Sequence, residues 1–241
     1  GCTAEDLAKH SRKASVEEVS RRGKWVVIRL ADHRGMIVIQ PRMTGGFWLV
    51  PPAKPEHARL SFRLAKPHAI VWYCDARRLG KICWFATPEE AERAFAKSQG
   101  TDALLIGLDE LSANLRKTGR AIKPALMDQK IVAGIGNIYA DESLFATGLH
   151  PERVASTLTR AELRRLHKSI TDVLTVAIAA EGSTFDAGYR TVLGLEGGFL
   201  AQNFLYGRAG QPCRRCGTVI QKLKIAGLTG RPTYLCSICQ P

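Results

Sequence analysis

Nowhere in these 241 residues does an apolar run approach the roughly 20 needed to cross a bilayer. No secretory signal opens the sequence, and neither an internal repeat nor a low-complexity tract interrupts it. A soluble, globular, cytoplasmic protein is the expectation. Acid is the other shortage: 22 Asp and Glu stand against 35 Lys and Arg, a net charge of +13. After Glu196 there is no carboxylate side chain at all, while Arg208, Arg214, Arg215, Lys222, Lys224 and Arg231 follow. Such an imbalance attracts polyanions, nucleic acid first among them, and the cytosol or nucleoid is the expected compartment. A disulfide framework is also missing. The seven cysteines are odd in number, and four of them form two CxxC pairs, which is the arrangement of a metal site.

What is present is enough for one large or two ordinary domains, each with a core. The first stretch, 1–23, is polar, with Val16 to Val19 leading towards the first convincing strand, Trp25–Leu30. Asp32-His33-Arg34-Gly35 reads as a turn and Met36–Gln40 as the hairpin partner. Phe47–Val50, Leu60–Leu64, Ile70–Cys74 and Lys81–Phe85 continue at the short spacing of an antiparallel sandwich or barrel. A β-rich domain over 1–87 follows from this.

From Thr87 the pattern turns helical. Thr87-Pro88-Glu89-Glu90 opens a helix with Ala91, Phe95 and Ala96 on its apolar side, and 104–117 gives another. Thr159 to Glu162 is a capping box ahead of Leu163, Leu166, Ile170, Val173, Leu174 and Ala177, spaced along one helix face. Four glycines in 185–200 predict a mobile surface loop. The helical domain is thus expected over 88–200 and a basic module over 201–241.

Between these helices lies 121–151, AIKPALMDQKIVAGIGNIYADESLFATGLHP. Lys123-Pro124 suits a helix start, and Ala133-Gly134-Ile135-Gly136 suits a stop, with glycines free to take positive φ. Asn137 then stands where an N-cap would, with Asp141 and Glu142 in the first turns of the next helix. A helix N-terminus with Lys123 beside it fits a phosphate. A helical hairpin whose glycines only allow close packing fits the same residues.

Cys213 and Cys216, then 19 residues, then Cys236 and Cys239 supply four thiolates at the spacing of a tetrahedral zinc site. Four thiolates leave no open position, so one zinc with a structural role is expected, holding a hairpin of Val219–Ile225 and Pro232–Leu235. Arg231 would be presented from that hairpin.

Residues 121–150 closely resemble the helix–two-turn–helix of bacterial formamidopyrimidine-DNA glycosylases and their endonuclease VIII relatives, and 204–241 resembles the zinc finger that closes those proteins. Arg21-Arg22-Gly23-Lys24, Met43-Thr44-Gly45 and Asp75-Ala76-Arg77-Arg78-Leu79-Gly80 resemble three more family motifs, in the family's order. The formamidopyrimidine branch is the more similar one. The resemblance implies an α+β multi-domain protein: an antiparallel β-sandwich (incomplete at its start), a helical domain and a four-cysteine finger, with double-stranded DNA in the cleft between sandwich and helices. It implies base-excision repair by a monomeric DNA glycosylase and abasic-site lyase acting on oxidised purines.

By the same resemblance Lys123 and Asn137 grip phosphates near the lesion, with Lys117 or Arg120 adding charge. Met43 fills the gap left by an everted nucleotide, and Arg77 faces the orphaned base with Leu79 in the same motif. His57 matches a DNA-contacting histidine, Lys24 the lysine of β-elimination, and Arg231 the arginine of the second elimination. The family begins Pro-Glu, whose proline amine is the nucleophile and whose glutamate is the acid–base group. This sequence begins Gly1-Cys2, so the nucleophile is not among its residues and the chain as it stands is expected to be inactive. Leu79 replaces the branch's usual phenylalanine, Ala76 its usual proline, and the finger's inner spacing is longer than typical. A non-catalytic zinc protein that binds damaged or abasic DNA is the competing expectation. An RNA-binding zinc ribbon explains the charge and the finger but not 121–150.

Overall fold

The computed structural model describes residues 3–185 and 189–241. The chain divides into two compact units, 1–97 with 181–197, and 98–180 with 198–241.

The first unit is built on two antiparallel sheets. β1 (Val16–Arg22), β2 (Trp25–Leu30), β3 (Met36–Gln40) and β7 (Lys81–Phe85) form one, in the order β1-β2-β3-β7. β4 (Gly45–Trp48), β5 (Ala58–Leu64) and β6 (Ala69–Asp75) form the other, in the order β4-β6-β5. Strand side chains alternate between faces. Ile28, Leu30, Ile37, Ile39, Ile82 and Trp84 therefore point to one side of the first sheet, where they meet Phe47, Leu60, Phe62 and Tyr73 of the second. That contact is the sandwich core. Trp25, Val27, Met36, Val38 and Phe85 point to the other side, where Ala91 and Phe95 of α2 (Pro88–Ser98) cover them. β3 is buried on both faces, which is why it reads as an unbroken apolar run. Through this packing α2 belongs with the sandwich.

Two elements of the first unit lie in the stretch that reads as merely polar. α1 (Ala4–Ser11) is started by Thr3, whose hydroxyl accepts from the Asp6 N–H at 3.1 Å while the Asp6 carboxylate accepts from the Thr3 N–H at 2.9 Å. That reciprocal cap nucleates a helix with no buried residue. β1 is an edge strand, exposed nearly throughout, so it carries no hydrophobic pattern to read. The strand expected over 47–50 is Gly45–Trp48. Of the expected 185–200 loop, 186–188 lie outside the described residues. Within the described part, the Val192 carbonyl accepts the Leu49 N–H of the sandwich at 2.8 Å.

The second unit holds α3 (Leu108–Arg116), α4 (Ile122–Met127), α5 (Asn137–Thr147) and α6 (Arg160–Ala179), then the hairpin β8 (Gln221–Leu223) and β9 (Thr233–Leu235). Leu111, Leu115, Ile122, Leu126, Ile135, Leu144, Leu163, Leu166 and Ile170 meet in one apolar cluster. The predicted capping box of α6 is present: the Thr159 hydroxyl accepts from Glu162 N–H and the Glu162 carboxylate accepts from Thr159 N–H. A second cluster joins Phe145 of α5 to Leu205, Ile220 and Tyr234, so the C-terminal module packs directly on that helix.

Candidate functional site

The turn between α4 and α5 is shaped by a side chain. Gln129 donates to the carbonyls of Met127 and Ile135 at 2.9 and 3.1 Å and accepts the Gly134 N–H at 2.9 Å. Gly134 takes φ 110°, which its missing Cβ permits. The Gly134 N–H is therefore already bonded within the turn.

Gly136, in extended conformation, is the N-cap of α5, and no side chain caps that end. Asn137 is the first helical residue instead of the cap, which leaves its amide free for another task. It donates to the Pro232 carbonyl at 3.0 Å and to the Tyr206 hydroxyl at 3.3 Å.

Lys123 departs furthest from expectation. Its side chain is 0% exposed, and its ammonium sits 2.7 Å from the Asp141 carboxylate. It also donates to Thr233 Oγ1 at 2.9 Å and to the Pro232 carbonyl at 3.0 Å. An ammonium has three N–H groups, and three oxygens meet them. With no exposed side-chain surface, Lys123 is closed to a phosphate. Burial lowers its pKa and pushes the Asp141 carboxyl up to about 7, because each charge loses its water.

Both acids of α5 face the C-terminal module. Asp141 Oδ2 accepts the Tyr234 N–H at 3.1 Å. Glu142 accepts the N–H groups of Phe204, Leu205 and Tyr206 at 2.8, 2.8 and 2.9 Å. The sequence reading placed these acids at a helix N-terminus for their charge. They are instead buried, at 1% and 3% exposure, and hold the two ends of the module. Adjacent acids inside an otherwise apolar helix were the available signal.

Lys123 and Asn137 thus converge on the carbonyl of Pro232, the residue after Arg231. Arg231 itself is exposed, and its backbone N–H donates to Leu228 at 3.0 Å. Lys117 and Arg120 are exposed as well, with Arg120 paired to Asp128 at 2.8 Å.

The four predicted sulfurs of Cys213, Cys216, Cys236 and Cys239 lie within 4.8 Å of one another. Zinc–sulfur bonds of about 2.3 Å put tetrahedral sulfurs about 3.8 Å apart. The Cys216–Cys236 and Cys213–Cys239 separations are 3.4 and 4.0 Å, so the donor set fits one zinc. Those cysteines precede β8 and follow β9, so they close the end of the hairpin opposite the turn that presents Arg231.

In the first unit the remaining residues sit on turns. Lys24 is exposed in the β1–β2 turn after Gly23, which takes φ 57°. Met43, 70% exposed, occupies the turn before β4. His57 is half-buried in a short 3-10 turn, Pro55–His57. Arg77 and Leu79 are exposed in the turn after β6. Met43 and Leu79 are large apolar side chains left in solvent, 70% and 43% exposed.

Three family models match the chain: the formamidopyrimidine-DNA glycosylase N-terminal domain over 1–82, the formamidopyrimidine-DNA glycosylase H2TH domain over 101–187, and the zinc finger found in FPG and IleRS over 210–241. The formamidopyrimidine-DNA glycosylase of Parasynechococcus marenigrum is 38% identical over 244 residues, covering 94% of this chain and 82% of the relative. That of Bacillus subtilis is 37% identical over 240 residues, covering 98% and 84%. Among solved structures, the MutM (FPG) protein from Thermus thermophilus is similar with a TM-score of 0.85 and 34% identity over 96% of this chain and 85% of that one. Lactococcus lactis Fpg in complex with DNA containing an abasic site is similar with a TM-score of 0.85 and 31% identity, covering 98% and 86%.

Proposed function

The chain belongs to the formamidopyrimidine-DNA glycosylase family, and on that footing we propose that it is a base-excision repair enzyme. Such an enzyme excises oxidised purines, 8-oxoguanine and formamidopyrimidines, from double-stranded DNA and cleaves the abasic strand as a lyase, with a proline amine as its nucleophile. The observation that carries this is the construction around Pro232, where buried Lys123 and half-buried Asn137 fix the backbone beside an exposed arginine. A hairpin held this firmly from two helices presents Arg231 to a phosphate or sugar. No specific observation favours a non-catalytic binder.

Several roles follow. Arg231, Lys117 and Arg120 contact the backbone of the DNA, and the N-terminus of α5 at Asn137 adds a positive field. Lys24 and Arg231 serve the two eliminations. Met43 enters the space of the everted nucleotide, Arg77 and Leu79 face the orphaned base, and His57 reaches the strand nearby. Lys123 acts from below, by placing Arg231. The zinc, when bound, supplies no chemistry beyond holding the finger, since all four of its positions are thiolates. The protein works as a monomer in the cytoplasm at the nucleoid. Among the described residues no helix is long and apolar enough to cross a membrane.

The proline amine of the lyase step is not among these residues, so the test compares two proteins. One is the 241-residue chain, and the other carries a family-like segment beginning Pro-Glu ahead of Gly1. Borohydride trapping on a duplex with 8-oxoguanine opposite cytosine requires excision before any imine can form. Trapping and strand cleavage are expected only with the added segment, because an amine held at C1′ accounts for much of the rate. Absence of both activities in the longer protein would favour the non-catalytic binder. Efficient trapping by the shorter one would assign a different nucleophile.

A further inference from the structure

Asp75 closes β6 opposite Gly45 of β4 and is 1% exposed. Its carboxylate accepts from two different turns. Oδ1 takes the hydroxyl of Thr44, the residue after Met43. Oδ2 takes the Gly80 N–H at 2.7 Å. Thr44 Oγ1 in turn accepts the Arg77 N–H at 3.3 Å, so the turns carrying Met43 and Arg77 share one knot.

A third turn hangs from the same residue. The Asp75 carbonyl accepts Arg59 Nε at 2.9 Å, and Arg59 Nη1 donates to the Glu56 carbonyl at 2.8 Å, inside the turn that holds His57. Beneath the knot Tyr73 fills the remaining space. A Cβ on Gly45 would lie 2.6 Å from the Tyr73 hydroxyl, and one on Gly80 2.0 Å from it. Both glycines are thus required for the two turns to approach so closely.

We propose that Asp75 is a positioning residue for lesion recognition, its carboxylate holding the turns of Met43 and Arg77–Leu79 in one arrangement through Thr44 and the backbone of 77–80. This rests on the reading above that those turns meet DNA. Met43 and Arg77 are exposed, so packing of their own side chains does not fix them. Their placement depends on the backbone, and an ionised acceptor makes stronger bonds to that backbone than a neutral one. A side chain that must enter a duplex at one base step tolerates little displacement.

Thr44→Val, Thr44→Ser and Asp75→Asn test this, with Met43→Ala and Arg77→Ala as references. The measurement is equilibrium binding to a duplex carrying a tetrahydrofuran abasic analogue opposite cytosine or adenine, and to the undamaged duplex, alongside each variant's melting temperature. Thr44→Val should weaken binding to the abasic duplex by about tenfold, the loss of one charge-assisted hydrogen bond. It should also bring the cytosine-to-adenine preference towards one and leave undamaged DNA unaffected, and Thr44→Ser should restore the parental behaviour. Asp75→Asn should do the same or more; if it fails to fold, the Thr44 pair decides. The proposal is overturned if folded Thr44→Val keeps parental affinity and preference while Met43→Ala and Arg77→Ala lose theirs. If the two reference variants also behave as the parent, the turns do not meet DNA, and that reading falls together with the proposal.

Discussion

Lys123 and Asp141 form an ion pair at 2.7 Å with neither side chain exposed, one from α4 and the other from α5. The pair joins the two helices at the point where β9 lands on them. A lysine that reads from the sequence as a hand on the DNA is a strut under the finger.

Removing one member of a buried pair strands the other charge, at a cost of about 3–5 kcal/mol. Lys123→Ala should therefore destabilise the second unit by that amount in urea unfolding. Lys123→Met together with Asp141→Leu should cost much less, because no charge is left unmatched. Equal losses in the single and double variants would show that the pair is not the source.

Salt dependence separates the strut from the hand. Arg231→Ala should flatten the plot of log K against log salt by about 0.9, the counterion equivalent of one phosphate. Lys123→Ala, measured where it is still folded, should weaken binding and leave the slope unchanged. A flattened slope for Lys123 would put its ammonium on the DNA after all.

Chelation of the zinc should unfold the finger and leave the sandwich folded. Structural zinc contributes about 10–16 kcal/mol at pH 7 to modules of this kind. Cys236→Ala should abolish stoichiometric zinc in elemental analysis and remove tight DNA binding. The sandwich should keep its own thermal transition, since its core draws on neither Cys236 nor the hairpin.

Acid should loosen the sandwich through Asp75. Burial works to raise its pKa, but the hydrogen bonds from Thr44, Gly80, Arg77 and Leu79 outweigh it and hold the carboxyl below its ordinary value. A depressed native pKa stabilises the fold above the unfolded value of about 3.9, and that contribution is lost as the pH falls through the native one. Stability measured from pH 6 downward should therefore drop below about pH 4 in the parent. The drop should be shallower in Asp75→Asn, where no ionisation is at stake.

Much of the architecture was legible because its signals are local. The alternating and continuous apolar runs of β2, β3, β6 and β7 mark strands wherever they occur, and the Thr159–Glu162 box marks the start of α6. The CxxC pairs name their metal by spacing alone. α1 and β1 escaped because one is held by a cap with no buried side chain and the other is an exposed edge. Neither leaves a hydrophobic period to find.

The site residues divide along the same line. Spacing and resemblance were enough to propose Lys123, Asn137, Arg231, Met43 and Arg77. Which of them face solvent, and which are buried supports, depends on residues up to 110 positions apart in the chain, as Lys123 and Thr233 are. A lysine's charge looks the same in sequence whether its partner is a phosphate or a buried aspartate. Only folding, which strips its water and brings Asp141, Thr233 and the Pro232 carbonyl to it, decides between them.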